Sequence, residues 1–576
     1  MDAKKQSSQE KLQVLKEKFI SSPSSLATDK PKCLLSVGYK HRRAAVFSGV
    51  GNTKESAFKS AQDRAQKFIK SQGSEPPWLK LDIVTMEKKL PISEFLTLAS
   101  MTKKFYFKYG ISFDELYNNA FLHQEVNAGA LLKYSTSESR NPDPSQEITE
   151  LIGISRDADS RRTRADINYN NINAYLKTVR SQHGILTDDS VKDIIIFDTK
   201  GWFFDEEHLF EMDEAELRNS RRKIDELTPE LTHDLLGKMS RYLASTVEDN
   251  GRFVYGYFSC YNKQISTYNC VRHALGVYSM CETYLVTKDE SLISPIKKSL
   301  KYLLEKFIYE VDEYAFVVEF ESNHEIKLGA LGVVVLAVAK YLDIFDEKDE
   351  YLPLLHKIGN GIRYMQNPVT GQFTHVLSYP NLEVIDKFRI VYYSGEAAFA
   401  LMRIYSLDKN DIWLKTVHKA FDYFIKHNYW QNYDHWLAYC TNELTAISPD
   451  DKYFEFGLKN AFTNLDFIEH RITTWATFLE MLTASHTMIE NIRKAGKDYL
   501  LDSYDVDRFY RVMKIRAERL LNGIFFPEFA MYFKSPETIL YGSYIRHHTF
   551  RVRNDDVAHH LSGYCHYLVD VMQDQR

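Results

Sequence analysis

The sequence predicts a mainly α protein, a C-terminal (α/α)6 toroid preceded by a smaller α+β domain. Three observations carry that prediction. From about Thr228 onward strand-like alternation nearly vanishes, and twelve helical stretches follow one another. Those stretches alternate between amphipathic helices and helices that are apolar on most sides, so one set faces water and the other is surrounded by protein. The same turn chemistry recurs at their ends, as in an internal repeat. Composition agrees with a globular chain: of 576 residues, 44 % are apolar and 26 % charged. With 73 basic and 78 acidic side chains the net charge is −5, which argues against a polyanion or nucleic-acid partner.

In chain order, residues 1–30 read as a flexible segment without the apolar stretch of a secretory signal. Residues 31–205 read as the α+β module. It opens with a strand, a basic turn (Lys40, His41, Arg42, Arg43) and a second strand closed by Gly49 and Gly51. A helix over 53–70, a strand over 78–86, a strand over 104–109, a helix over 113–134 and a short strand over 193–198 follow. Residues 135–165, rich in Ser, Asn, Asp and Arg, read as a mobile loop, and 206–228 as a linker. This module offers docking to a protein partner or a roof for the toroid.

The toroid, 229–576, takes its helices from 231–247, 268–286, 292–308, 328–342, 351–365, 392–405, 412–425, 435–447, 453–468, 474–492, 506–521 and 556–572. Odd members are amphipathic: Leu300, Leu303, Leu304 and Phe307 oppose Lys297, Lys298, Lys301 and Lys306. Even members are dense in small residues, as in Gly329, Ala330 and Gly332, or Gly395, Ala397, Ala398 and Ala400. Polar turns such as Asp408-Lys409-Asn410-Asp411 supply helix N-caps. A Gly-x-Phe turn follows three odd helices, at Gly251, Gly371 and Gly523. Six such hairpins close into a ring more economically than they cap an open solenoid. The open alternative binds a partner along its concave face.

This repeat over 229–576 resembles the six-hairpin glycosidase-like toroids, a group that includes glycoside hydrolases, unsaturated-uronate hydrolases, polysaccharide lyases and sugar 2-epimerases. It is also similar to the LanC-type peptide cyclases, whose zinc segments, Trp-Cys-Tyr-Gly and Cys-His-Gly, find their nearest match in Cys565-His566-Tyr567, which departs from both. The resemblance implies a fold and names no substrate.

In a toroid the wide mouth is built by the loops leading from each outer helix into the next inner one, and here those loops hold the reactive side chains while the opposite turns hold plain Lys, Asp and Ser. Glycoside hydrolysis needs two carboxyl groups across the scissile bond, for which the candidates are Glu396, Asp434, Glu321 and Asp555. Proton transfer at carbon would instead fall to an imidazole, with His273 and His435 as catalytic candidates beside His547 and His559. Tyr257, Tyr268, Tyr392, Tyr393, Tyr439, Trp436 and Trp475 are candidate substrate platforms, since aromatic faces stack on sugars. Arg272, Arg389, Arg471, Arg546, Arg551 and His547 suit an anionic group on the ligand.

The sequence thus predicts a carbohydrate-active enzyme acting on a glycan, neutral or bearing uronate or phosphate, by carboxylate acid/base hydrolysis. The alternatives are an epimerase or lyase with a histidine base, a non-catalytic glycan- or peptide-binding toroid, and LanC-like peptide modification. No cofactor and no metal are expected. The longest apolar run, 328–339, is too short to span a bilayer. Six scattered cysteines without CxxC pairs predict free thiols and a cytoplasmic address.

Overall fold

The computed structural model describes residues 6–23, 30–136, 163–182, 185–215, 218–320 and 323–573. The N-terminal module is built on a sheet in the order β2-β1-β3-β8-β4-β5, with β9 also on β8. Its strands are β1 (Lys32–Tyr39), β2 (Arg42–Val50), β3 (Trp78–Pro91), β4 (Gly110–Ser112), β5 (Ala120–Phe121), β8 (Asp193–Phe204) and β9 (Leu209–Glu211). A two-stranded ribbon pairs β6 (Leu132–Thr136) with β7 (Thr163–Ile167), and residues 137–162 of the expected mobile loop lie outside the described residues.

Helices α1 (Ser8–Ser21) and α2 (Lys54–Gln72) cover one sheet face, while α3 (Ile92–Ser100), α4 (His123–Ala128) and α5 (Tyr169–Val179) pack with the β4 end. Three expectations change here. Residues 8–21 are not a loose segment, because Leu12, Leu15 and Phe19 are fully buried against Phe58 and the sheet. The strand expected over 104–109 is irregular chain turned by a positive φ at Phe105. The long helix expected over 113–134 is interrupted: Asp114 accepts from the backbone of Asn118 and Asn119, and Tyr117 and Ala130 take positive φ, which no helix tolerates.

From Thr228, whose hydroxyl caps the first helix, the expected twelve helices follow. Outer helices are α6 (Pro229–Ser245), α8 (Ile293–Phe307), α10 (Lys348–Tyr364), α12 (Asp411–Lys426), α14 (Asp451–Phe462) and α17 (Val506–Leu520), with short α15 (Leu465–His470) and α18 (Pro527–Ala530) in the last two loops. Inner helices are α7 (Cys270–Thr287), α9 (Leu328–Leu342), α11 (Tyr393–Asp408), α13 (His435–Ile447), α16 (Thr477–Lys494) and α19 (Asn554–His566). Each inner helix packs on the next, and α19 packs on α7, so the ring is closed. The toroid is therefore the six-hairpin architecture that the repeat pattern resembles.

The repeat chemistry explains the geometry. Gly251 and Gly371 sit at φ +89° and +80°, and a Cβ at either would lie 2.1 or 2.2 Å from the Lys298 or Lys419 carbonyl of the following outer helix. The same turn thus recurs two hairpins apart, with Phe253 and Phe373 buried behind it. Short strands, which the sequence pattern did not show, stitch the rim loops together. Ribbon β10 (Gly256–Phe258) of the first hairpin pairs with β18 (Arg551–Arg553) of the last, a second closure of the ring. A further rim sheet runs β12 to β16, from Ile308 to Asp386. No helix among the described residues is long and apolar enough to cross a membrane. All six cysteines are buried free thiols.

The module sits on the last rim loop. Ala44 donates its N–H to Met531 O at 2.7 Å, and Glu537 N–H bonds to Lys40 O at 2.9 Å, so the basic hairpin turn docks on the toroid. The expected linker is likewise packed: Arg222 donates three bonds to the fully buried Glu528 at 2.7–3.0 Å, one from its backbone and two from its guanidinium, which lies 3.6 Å over the Phe210 ring.

Candidate active site at the toroid mouth

Four inner helices bring polar side chains together near their N-terminal ends: Glu396 on α11, Asp434 and His435 at the start of α13, Glu480 on α16 and His559 on α19. Gly329 lets the α11 turn approach α9 closely: a Cβ there would meet Glu396 Oε2 at 2.0 Å. Gly395 does the same for Asp434, whose Oδ2 would lie 2.2 Å from an added Cβ. Glu396 and Asp434 are almost fully buried, and each leaves one carboxyl oxygen without a hydrogen bond. Burial pushes Glu396 up to about 8. Asp434 is pushed well above the carboxylate range, by burial and then by the charge of Glu396, although it also caps α13 through Trp436 N–H at 2.8 Å. Burial thus favours the protonated form of both carboxyl groups.

At the start of α13, His435 is buried, with its Nε2 unpartnered. Its ring lies 5.3 Å from that of His559 on α19, at 79°. His559 Nδ1 donates to Glu480 Oε2 of α16 at 2.8 Å. The two imidazoles differ in charge. Burial, reinforced by His559, drives the pKa of His435 well below its ordinary value. Burial opposes the charge on His559 as well, but Glu480, Asp555 and Asp556 outweigh it and raise its pKa. Two imidazoles with oppositely displaced pKa values thus stand edge to face, with 18 % of the His559 side chain exposed to solvent.

Potential ligand atoms of His435, Glu480 and His559 all lie within 4.8 Å of one another, and two imidazoles with a carboxylate form a donor set suited to a divalent cation such as zinc. The sequence pointed to no metal. Glu480 itself was missed, although a lone acid among Phe478, Leu479, Met481 and Leu482 on a buried helix was the available signal. Below this layer, Glu282 of α7 accepts from Ser562 and pairs with His566, whose other nitrogen bonds Asp570 at 2.8 Å.

The other candidates distribute unevenly. His273 donates Nε2–H to Ser299 O at 2.8 Å and accepts at Nδ1 from the Tyr268 hydroxyl at 2.6 Å, so both nitrogens and Tyr268 hold the framework. Asp555 is held by Arg272 and Arg553 at 2.8 Å, and its pKa falls because their charges outweigh burial. Arg389 clamps Glu325 and Asp386 in the rim sheet. Tyr392 lies 5.4 Å from the His435 ring, and Tyr393 packs on His375. Trp436 and Tyr439 pack on Phe399 in the ring core, with the Tyr439 hydroxyl unpartnered. Arg471 stacks on Trp475 at the mouth. Tyr257 accepts from Gln264 on the outer rim, and Arg546 bonds Ser220 and covers Tyr106 of the module. Arg551 faces Asp556 at 3.5 Å. Glu321 lies outside the described residues.

No family model matches the sequence, and no curated protein matches it. Among solved structures the chain is similar to a D-mannose isomerase, at TM-score 0.45 and 12 % identity, covering 59 % of this chain and 97 % of that one. It is similar to the cellobiose 2-epimerase of Bacillus thermoamylovorans, at TM-score 0.44 and 10 % identity over 59 % and 100 % of the two chains. An α-1,6-mannanase from a Salegentibacter species gives TM-score 0.41 and 11 % identity over 58 % and 98 %.

Proposed function

We propose that this chain is an enzyme that moves a proton at the carbon beside the carbonyl of a reducing sugar, an epimerase or isomerase in reaction class. The observation that carries the proposal is the His435–His559 pair, in ring contact at 5.3 Å with pKa values displaced in opposite directions. Titratable partners driven apart in this way serve as base and acid at one pH. Neutral His435 takes the proton through Nε2, the C–H electron pair moves into an enediol, and His559 returns a proton to carbon. Return to the same carbon from the opposite face inverts it; return to the neighbouring carbon, with the hydroxyl proton passing from one enediol oxygen to the other, isomerises the sugar. Glu396, whose pKa burial raises to about 8, supplies an O–H donor for the oxygen on which charge develops, with the Asp434 carboxyl beside it.

Carboxylate hydrolysis is less well served. It needs an ionised base or nucleophile beside the acid, but burial raises the pKa of both Glu396 and Asp434, and Asp555 is already held by two arginines.

The test is incubation with reducing mono- and disaccharides in D2O, read by NMR for new isomers and for deuterium beside the carbonyl. His435→Asn and His559→Asn are each expected to lower turnover by about 10²–10⁴-fold while substrate still binds. New reducing ends without deuterium exchange would make the enzyme a hydrolase and overturn the proposal. Chelator is expected to leave the rate unchanged; a loss restored by zinc would reassign His435, Glu480 and His559 as a metal centre.

A further inference from the structure

A polar cavity of about 330 Å³ lies within the N-terminal module. Every residue lining it falls between Lys80 and Asn219, so no toroid helix contributes to it. The sheet topology creates the space. Along one edge β8 pairs with β4 through 195–197 and with β9 through 202–204, which leaves 198–200 without a strand partner on that side. Along the other edge a bulge sets Thr85 between the pairs Val84–Thr199 and Met86–Asp198. Asp198 and Thr199 thus border a gap in the sheet edge, and α4 and the chain from Met212 to Glu214 supply further walls.

The charged groups of the walls are mostly satisfied. At the inner end Lys80 and Asp82, both almost fully buried, pair with each other at 2.6 and 2.7 Å. Asp213 is held by Arg218 at 3.1 Å, and Glu214 faces Lys200 at 3.5 Å. The Lys108 ammonium lies 5.2 Å over the Tyr109 ring. What remains is a set of acceptors. Gln124 is 1 % exposed, and its Oε1 has no hydrogen-bond partner. His123 donates Nε2–H to the Asn219 carbonyl at 3.1 Å, since a carbonyl only accepts, and burial drives its pKa well below the ordinary value, leaving Nδ1 as a lone-pair acceptor. The Asp198 carboxylate makes no hydrogen bond or ion pair among the described residues, and burial raises its pKa against the pull of the Lys108 charge.

We infer that this cavity binds a small organic cation, a primary ammonium or a guanidinium, with its charge on Asp198 and its remaining N–H groups toward Gln124 and His123. Either group brings several donors and pairs with a carboxylate through charge-assisted hydrogen bonds. A neutral polyol brings donors without the charge, and an anion brings neither. The volume suits a small ligand, at the low end of the roughly 300–1,000 Å³ typical of such sites. The inference is independent of the reaction proposed at the toroid mouth.

The experiment is calorimetric titration of the full chain, at about 0.15 M ionic strength, with putrescine, agmatine, 1,4-butanediol and glutarate. It is repeated on Asp198→Asn, Asp198→Glu, Gln124→Met and His559→Asn. At least one of the two amines is expected to bind about tenfold or more tighter than the butanediol of matching length. That ratio is expected to fall toward one in Asp198→Asn, to recover in Asp198→Glu and to weaken in Gln124→Met, with Asp198→Glu controlling for folding. Preference for putrescine identifies the ammonium, and preference for agmatine the guanidinium. Unchanged amine binding in His559→Asn supports a site in the module; its loss there would place the amine at the toroid mouth and overturn the inference. Equal binding of amines and butanediol, tighter binding of glutarate, or a ratio unmoved in Asp198→Asn would overturn it as well.

Discussion

His435 and His559 show how little a residue's chemistry owes to its type alone. Both are imidazoles on inner helices, yet burial drives the pKa of the first down, while the charge and hydrogen bond of Glu480 more than offset burial and raise that of the second. The proposed turnover requires the first neutral and the second protonated. The rate is therefore expected to fall on the acid side as His435 protonates, well below pH 6.5, and on the alkaline side as His559 loses its proton, above pH 6.5. A profile of kcat/KM against pH checks this, and Glu480→Gln is expected to move the alkaline limb downward while the acid limb stays. A deeper histidine acts on stability instead. Burial opposes the charge on His566, but bonds to Asp570 and Glu282 more than offset it and carry its pKa up to about 10. With a folded pKa above the unfolded one, its contribution is complete below about pH 6.5 and is lost as pH rises toward 10. Urea unfolding of the wild type and His566→Gln is expected to show a stability gap that shrinks by roughly 4 kcal/mol from pH 6 to pH 10. A gap independent of pH would remove His566 from this role.

At the scale of elements, glycines set how closely inner helices approach. The α9–α11 contact depends on Gly329 and Gly332, where an added Cβ would meet Glu396 Oε2 at 2.0 Å or the Glu396 backbone at 2.6 Å. Gly329→Ala is expected to cost about 1–3 kcal/mol, measured by urea unfolding, because the buried Glu396 carboxyl and Tyr393 ring packed against it must give way. It is also expected to displace the Glu396 carboxyl, so activity should fall more than stability alone explains. Gly251 and Gly371 act differently: their positive φ and the outer-helix carbonyl at their backs fix the turns that repeat around the ring.

For the whole molecule, closure and docking are the governing facts. The ring closes twice, through α19 on α7 and through β18 on β10, so the first and last hairpins support each other across nearly the full toroid sequence. The module is locked to this ring by a buried ion pair, and truncating one partner strands the other. Glu528→Ala leaves the Arg222 guanidinium with only the more distant Asp205 carboxylate, at 3.7 Å, and is expected to destabilise the fold by about 3 kcal/mol. Limited proteolysis within 206–228 is the second readout, expected to be slow in the wild type and fast in the variant.

The sequence alone determined the twelve toroid helices, their alternation of wet and buried faces and the turns between them. These follow from local rules: 3.6-residue periodicity, N-caps, and glycines followed by phenylalanine. It also placed His435, Glu396 and Asp434 at the inner-helix starts. Only the tertiary structure decided which of these groups share an environment. Glu480 lies 79 residues from His559 and becomes its partner through helix packing, whereas His273, equally prominent in the sequence, is tied up by Ser299 and Tyr268. The interrupted chain over 113–134 and the rim strands escaped for the same reason. Side-chain periodicity reports the face a residue turns to the core, but burial, charge pairing and docking across the ring depend on segments far apart in the chain.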